Sequence, residues 1–227
     1  MFITMLKMYS LNLLILLASL SYTIAQENDA QVWTKVAVSK KIGQRSEIKI
    51  DVCTRFGNNI SNLNTFYCQI SNEFKVNKWF RIGIAYRYAE KDNLEDHYNT
   101  KNRINLFAIV RKKFFKTVAV QYRTQFQSQM TNIGTSENGK NITNFFRNKL
   151  TLSFDLNKKY IPYMSTELYY KFKMENNNFS KVRYVAGIDY ELTKKHLIGA
   201  YYLIQSDLNH SNPNTNFVSG LSYHYTM

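Results

Sequence analysis

Six arginines, one lysine and one glutamate recur in this chain at positions that place them on a common surface. Arg55, Arg87, Arg103, Arg123, Arg147 and Arg183 lie in segments where polar and apolar residues alternate, and Lys149 and Glu167 fall in the same phase. Alternation at period two sends successive residues to opposite faces of a strand. A guanidinium stays charged at any working pH and presents a fork of donors that matches carboxylate or phosphate. A surface crowded with such groups can form an anion-attracting vestibule or hold a phosphorylated or carboxylated ligand. The same Arg, Gln and Glu side chains can equally fill a narrow lumen with internal hydrogen bonds. Both readings stay open at the level of sequence.

Other reactive residues offer less. Glu95-Asp96-His97 could polarise a water, but a charged segment containing a His is ordinarily just solvated, and no second His or Cys stands at ligand spacing. His196, His210 and His224 have no nucleophile and orienting acid beside them in sequence. No catalytic residue, metal ligand or cofactor is therefore assigned, and the expected protein is not an enzyme, an outer-membrane hydrolase being the weaker alternative. Cys53 and Cys68 flank the segment 57–62 at similar distance, yet Cys53 shares the polar face and Cys68 the apolar one. A bridge between them would need a bulge. Asn59, Asn141, Asn178 and Asn209 open Asn-x-Ser/Thr triplets, a frequency that the Asn-rich connections explain by chance.

The elements that must carry these residues are strands. Ile48, Ile50, Val52 and Phe56 alternate with Glu47, Lys49, Asp51, Cys53 and Arg55; Phe80, Ile82, Ile84, Tyr86 and Tyr88 alternate with Arg81, Gly83, Ala85, Arg87 and Ala89. About eleven such segments occur, near 31–40, 45–56, 63–76, 79–89, 102–111, 115–128, 144–156, 160–173, 181–192, 196–206 and 216–227. They are longer than ordinary soluble strands and suit tilted spans of a bilayer. Tight connections (76–79, 112–115, 156–160, 192–196) alternate with long polar ones (90–101, 129–143, 174–180, 207–215), the layout of an outer-membrane barrel. Trp79 and Phe80, Phe114 and Phe115, and Tyr160 and Tyr163 cluster at strand ends, where interfacial girdles belong.

Composition agrees. Of 227 residues 44% are hydrophobic and 15% aromatic, with 8 Gly and 2 Pro, which excludes disorder and collagen-like chains. Two cysteines exclude a disulfide-dense scaffold. Lys7, the apolar run 11–20 and small residues up to Ala25 read as a secretory signal peptide, residues 1–25, cut before Gln26. Residues 26–227 then form a single antiparallel transmembrane β-barrel of ten to twelve strands, all-β in class. A secreted β-sandwich that binds another molecule is the competing fold, although its outward faces would be richer in Lys, Thr and Ser. Eleven segments would start the chain outside if the tight turns are periplasmic, so the first segment either lies in the lumen or marks a miscount.

Centring each hairpin on its connection sets the inward residues opposite one another. Arg87 falls opposite Arg103, Arg123 opposite Arg147, and Glu167 about opposite Lys149 and diagonal to Arg147. The inward acids Glu47, Glu73, Asp155, Asp189 and Glu191 lie nearer the tight turns. The expected lumen has a basic outer half and an acidic inner rim.

Trp33, GIAYRY (83–88), QYRTQF (121–126), FFRNKL (145–150), PYMSTELYY (162–170), VRYVAGIDY (182–190) and AYYLIQ (200–205), in that order and spacing, resemble the uncharacterised barrels known as domain of unknown function 2490, found largely in Bacteroidota. The resemblance spans nearly the whole mature chain. It implies a barrel in the outer membrane of a Gram-negative cell and no particular chemistry. Its implied partners are outer-membrane lipid and lipopolysaccharide and the barrel-insertion machinery; a small anionic ligand follows from the arginines, and no nucleic acid is expected. The chain departs from the usual aromatic C-terminus: Tyr223 and Tyr225 keep the period, but Met227 is last.

Overall fold

The computed structural model describes residues 27–92, 98–114, 117–131, 141–156, 159–172, 178–210 and 212–227. Eleven strands run in chain order: β1 (Glu27–Ile42), β2 (Ser46–Gly57), β3 (Asn62–Lys75), β4 (Phe80–Asp92), β5 (Tyr98–Phe114), β6 (Val118–Thr131), β7 (Asn141–Phe154), β8 (Tyr160–Phe172), β9 (Asn178–Thr193), β10 (His196–Asp207) and β11 (Asn214–Thr226). Each pairs with its chain neighbours, and β1 and β11 close the sheet on itself. The fold is one closed barrel, so the two-sheet sandwich is set aside. The signal peptide, Glu95-Asp96-His97, Phe115 and Glu137 lie outside the described residues.

All consecutive strands pair antiparallel; β1 and β11 pair parallel, from Glu27↔Asn214 to Ser39↔Thr226. The parallel seam follows from the count. With hairpins throughout, an odd number of strands leaves the first and last pointing the same way. The first segment is therefore neither in the lumen nor a miscount: β1 is a wall strand, bonded to β2 on one side and β11 on the other. The two ends of the barrel chain consequently sit at opposite rims, Glu27 beside the long connections and Thr226 beside the tight ones.

The distribution of side chains is the reverse of a soluble domain. Ile84, Leu106, Met164, Tyr184 and Leu221 point outward, each more than half exposed. The buried set on the inner side includes Asp51, Asn105, Gln125, Gln127, Arg147, Glu167 and Gln205. Polar residues inside and a largely apolar exterior, interrupted by outward polar residues such as Asn102 and Asn148, follow from the period-two pattern once the sheet is closed. Glycines admit the larger inward rings. A Cβ on Gly220 would collide with the ring of Tyr201, and one on Gly83 with Phe107. Wall and ring interlock there because the wall residue has no side chain.

One expectation changes in detail, and face parity holds for the cysteines. Tyr163, read as part of an outer girdle, faces the lumen, in the same phase as Glu167; Trp79, Phe114 and Tyr160 do stand exposed at the rim. Cys53 and Cys68 are free thiols. Cys53 is buried opposite Tyr67, and Cys68 is exposed opposite Val52, so face parity keeps them apart.

Candidate functional site: an arginine-lined chamber

A cavity of about 1070 Å³ occupies the half of the lumen next to the long connections. Arg55, Arg87, Arg103, Arg123, Arg147, Lys149, Glu167 and Arg183, the eight residues singled out from sequence, all line it. Eleven lysines and arginines surround the chamber against three acids, Asp29, Glu167 and Asp207. The register places Arg87 opposite Arg103 and Lys149 opposite Glu167. Arg123 lies opposite Lys149 and not Arg147, which pairs with Gln125. The pair Thr131↔Asn141 centres this hairpin on position 136, the midpoint of 129–143, and reflection about it takes 123 to 149. The expected partner 147 corresponds to a centre one residue too low, and one residue of centre moves every partner by two.

One side of the chamber is organised by Glu167, 5% exposed on β8. Its Oε1 accepts from Arg147 Nη2 (2.8 Å) and Arg123 Nη2 (3.2 Å). Its Oε2 accepts from the Tyr169 hydroxyl (3.1 Å), with Arg183 Nη1 at 3.8 Å. Among the described residues these three arginines make its ion pairs; Lys149, although its direct cross-strand neighbour, does not. Arg147 also donates to Gln127 Oε1 (2.9 Å), and Arg183 Nε to Gln205 Oε1 (2.7 Å). One carboxylate thus holds three guanidiniums in place and neutralises one.

On the other side no arginine is paired with an acid among the described residues. Arg55 lies 3.7 Å from the centre of the Trp33 ring, and Arg87 lies 3.7 Å from that of Tyr67. A chain of hydrogen bonds orients Trp33: its indole N–H donates to Gln31 Oε1 (2.8 Å), and Gln31 Nε2 donates to Asp29 Oδ2 (2.6 Å). Arg87 donates through Nε and Nη2 to Gln69 Oε1 (2.9 and 2.7 Å), and Arg103 donates to Gln129 Oε1 (2.6 Å). None of Arg55, Arg87 and Arg103 has a carboxylate within ion-pair distance among the described residues, and the Nε groups of Arg55 and Arg103 are buried without a partner. Ring faces and neutral amides fix these guanidiniums while leaving their charge unneutralised. Sequence reasoning missed the inward aromatic rings, although Tyr67 and Tyr169 share the phase of Cys53's partner and of Glu167, which is the signal that finds them.

A second cavity, of about 300 Å³, lies toward the tight turns and is lined by Glu47, Glu73, Lys49, Arg81 and His224. Arg87, Arg123 and Arg147 line both cavities, so a layer of three guanidiniums lies between them. Gln125 Nε2 donating to Asn105 Oδ1 (2.8 Å) continues that layer. The lower cavity is not simply acidic: Arg81 bonds Glu73 (2.8 Å), and Lys49 and His224 stand beside Glu47. Among the described residues no group of three metal-ligating side chains occurs. His196 and His210 bond Tyr223 and the Asn212 carbonyl, away from the chamber.

No curated protein matches this chain. Among solved structures, the KdgM porin superposes with a TM-score of 0.44 at 12% identity, over 75% of this chain and 81% of that one. The beta domain of the Bordetella autotransporter Brka gives a TM-score of 0.44 at 12% identity, over 76% of this chain and 78% of the other. The family model for the protein of unknown function DUF2490 matches residues 30–216, and the chain belongs to that family.

Proposed function

We propose that this protein is an integral β-barrel of the Gram-negative outer membrane, exported by its N-terminal signal peptide, whose lumen is an anion-binding vestibule. The inside-out distribution of side chains supports the membrane part. An exterior carrying Ile82, Ile84, Leu106, Met164, Ile188 and Leu221 in the open is stable against hydrocarbon and not against water. Outer-membrane lipid, lipopolysaccharide and the insertion machinery are the partners that this location brings. No catalytic role is proposed for any residue.

The observation that carries the vestibule is the side of the chamber whose arginines have no carboxylate within ion-pair distance among the described residues. Arg55, Arg87 and Arg103 are held by rings and amides, so a small carboxylated, phosphorylated or sulfated ligand would supply the missing counter-charge. The guanidinium layer below the chamber favours a binding barrel over a wide pore. Arg87→Gln with Arg103→Gln should leave the barrel folded and abolish both inorganic phosphate binding and any anion selectivity in a planar bilayer. A barrel with neither anion binding nor conductance before and after that change would be a structural one, and the vestibule would be wrong.

A further inference from the structure

The rim formed by the tight turns carries a charge pattern that neither the chamber nor the barrel's closure uses. Arg45, Lys78, Lys112, Lys159 and Lys194 are exposed, one at each of the five tight connections around the barrel. Lys41, Lys75, Lys113 and Lys195 flank them and are exposed as well. The acids of this end, Glu47, Glu73, Asp155 and Glu191, are all partly covered, and no acid is exposed at this rim among the described residues. Lys113 pairs loosely with Asp155 at 3.7 Å. At the opposite rim Lys91 is the exposed cation among the described residues. The expectation of an acidic inner rim is thus reversed at the surface.

The cations stand beside lipid-facing rings. Lys78 Nζ lies 4.8 Å from the centre of the Trp79 ring and Lys112 Nζ 5.2 Å from that of Phe114, both rings exposed on the outer wall. Rings at that level mark the boundary between hydrocarbon and headgroups. The ammonium groups therefore sit where phosphates of the adjoining leaflet sit. Continuity around the circumference is what a lipid layer requires; a soluble polyanion would need one patch.

We infer that the tight-turn rim is a collar that seats anionic phospholipid headgroups, at the end of the barrel opposite the one expected to meet lipopolysaccharide. The inference rests on the membrane reading above and not on the vestibule. Each ammonium near an anionic surface contributes an attraction that falls off within a Debye length.

The test uses the full folded chain in detergent with equal amounts of phosphatidylglycerol and phosphatidylcholine, and measures by native mass spectrometry which lipid stays bound. Phosphatidylglycerol should be enriched about fivefold or more, and the enrichment should vanish in K78Q/K112Q/K113Q/K194Q/K195Q. Raising the salt on the unsubstituted protein should remove it too, which keeps the test open if the variant folds poorly. Equal retention of the two lipids, or enrichment that survives both changes, overturns the collar. Binding of heparin without lipid enrichment overturns it as well, in favour of a soluble polyanion. Faster gel migration before boiling than after reports the folded barrel independently, so loss of that shift refutes the membrane reading instead.

Discussion

Glu167 is the side chain on which most of the chamber's order depends. Removing it leaves Arg123, Arg147 and Arg183 facing one another in a half-dry space with no shared counter-charge. Breaking a buried ion pair from one side typically costs about 3–5 kcal/mol, because the surviving charge stays buried. Glu167→Ala should lose stability of that order in reversible urea unfolding from lipid vesicles. Adding Arg147→Met should recover part of the loss, whereas Lys149→Ala should recover little, since Lys149 makes no ion pair with the carboxylate. Arg87→Gln with Arg103→Gln goes the other way: it relieves cross-strand repulsion and should leave stability unchanged or raised. Alternation in the sequence told which residues face inward. It did not tell that Arg55 would stack on Trp33 or that three arginines from three strands would meet one glutamate, because such contacts depend on rotamers and on the curvature that closes the sheet.

At the level of strands, each face has its own tolerance. Ile82→Arg or Leu152→Arg puts a charge against lipid, at about 2–4 kcal/mol near the middle of the bilayer. Gln121→Arg, inward on β6 beside Arg111 in the register, should cost much less. Similar losses of folded barrel at all three positions would contradict the face assignment. Gly220→Ala should also destabilise, by about 1–3 kcal/mol, because its Cβ collides with Tyr201. Tyr201→Ala should then largely remove the penalty, as seen by comparing the double variant with each single one. All eleven segments were legible, since long runs of strict period two leave little choice of element type. Their registers were less so. Hairpin centres lie in Asn-rich stretches with no pattern, and bulges at Arg55/Phe56 and Tyr169/Tyr170 shift the count without any mark in composition.

For the whole molecule, the odd strand count is the feature with the plainest consequence. Bacterial single-chain barrels have even numbers, and here the first and last strands run side by side in the same direction. The parity looked like an error in the sequence because eleven segments with periplasmic tight turns start the chain outside. If the long connections face outward, an epitope placed just before Glu27 should be reached by antibody on intact cells, and one after Met227 only after permeabilisation. Added protease should cut intact cells near Glu95 or Glu137 for the same reason. The vestibule itself is tested most directly through Trp33, whose ring carries Arg55 inside the chamber. With Trp79→Phe removing the second indole, iodide and caesium are compared as quenchers of Trp33 emission in the vesicle-bound barrel. The account predicts strong quenching by iodide, weak quenching by caesium, and loss of the difference in Arg87→Gln with Arg103→Gln. Equal quenching by the two ions, or a preference for caesium, would contradict an anion-attracting lumen.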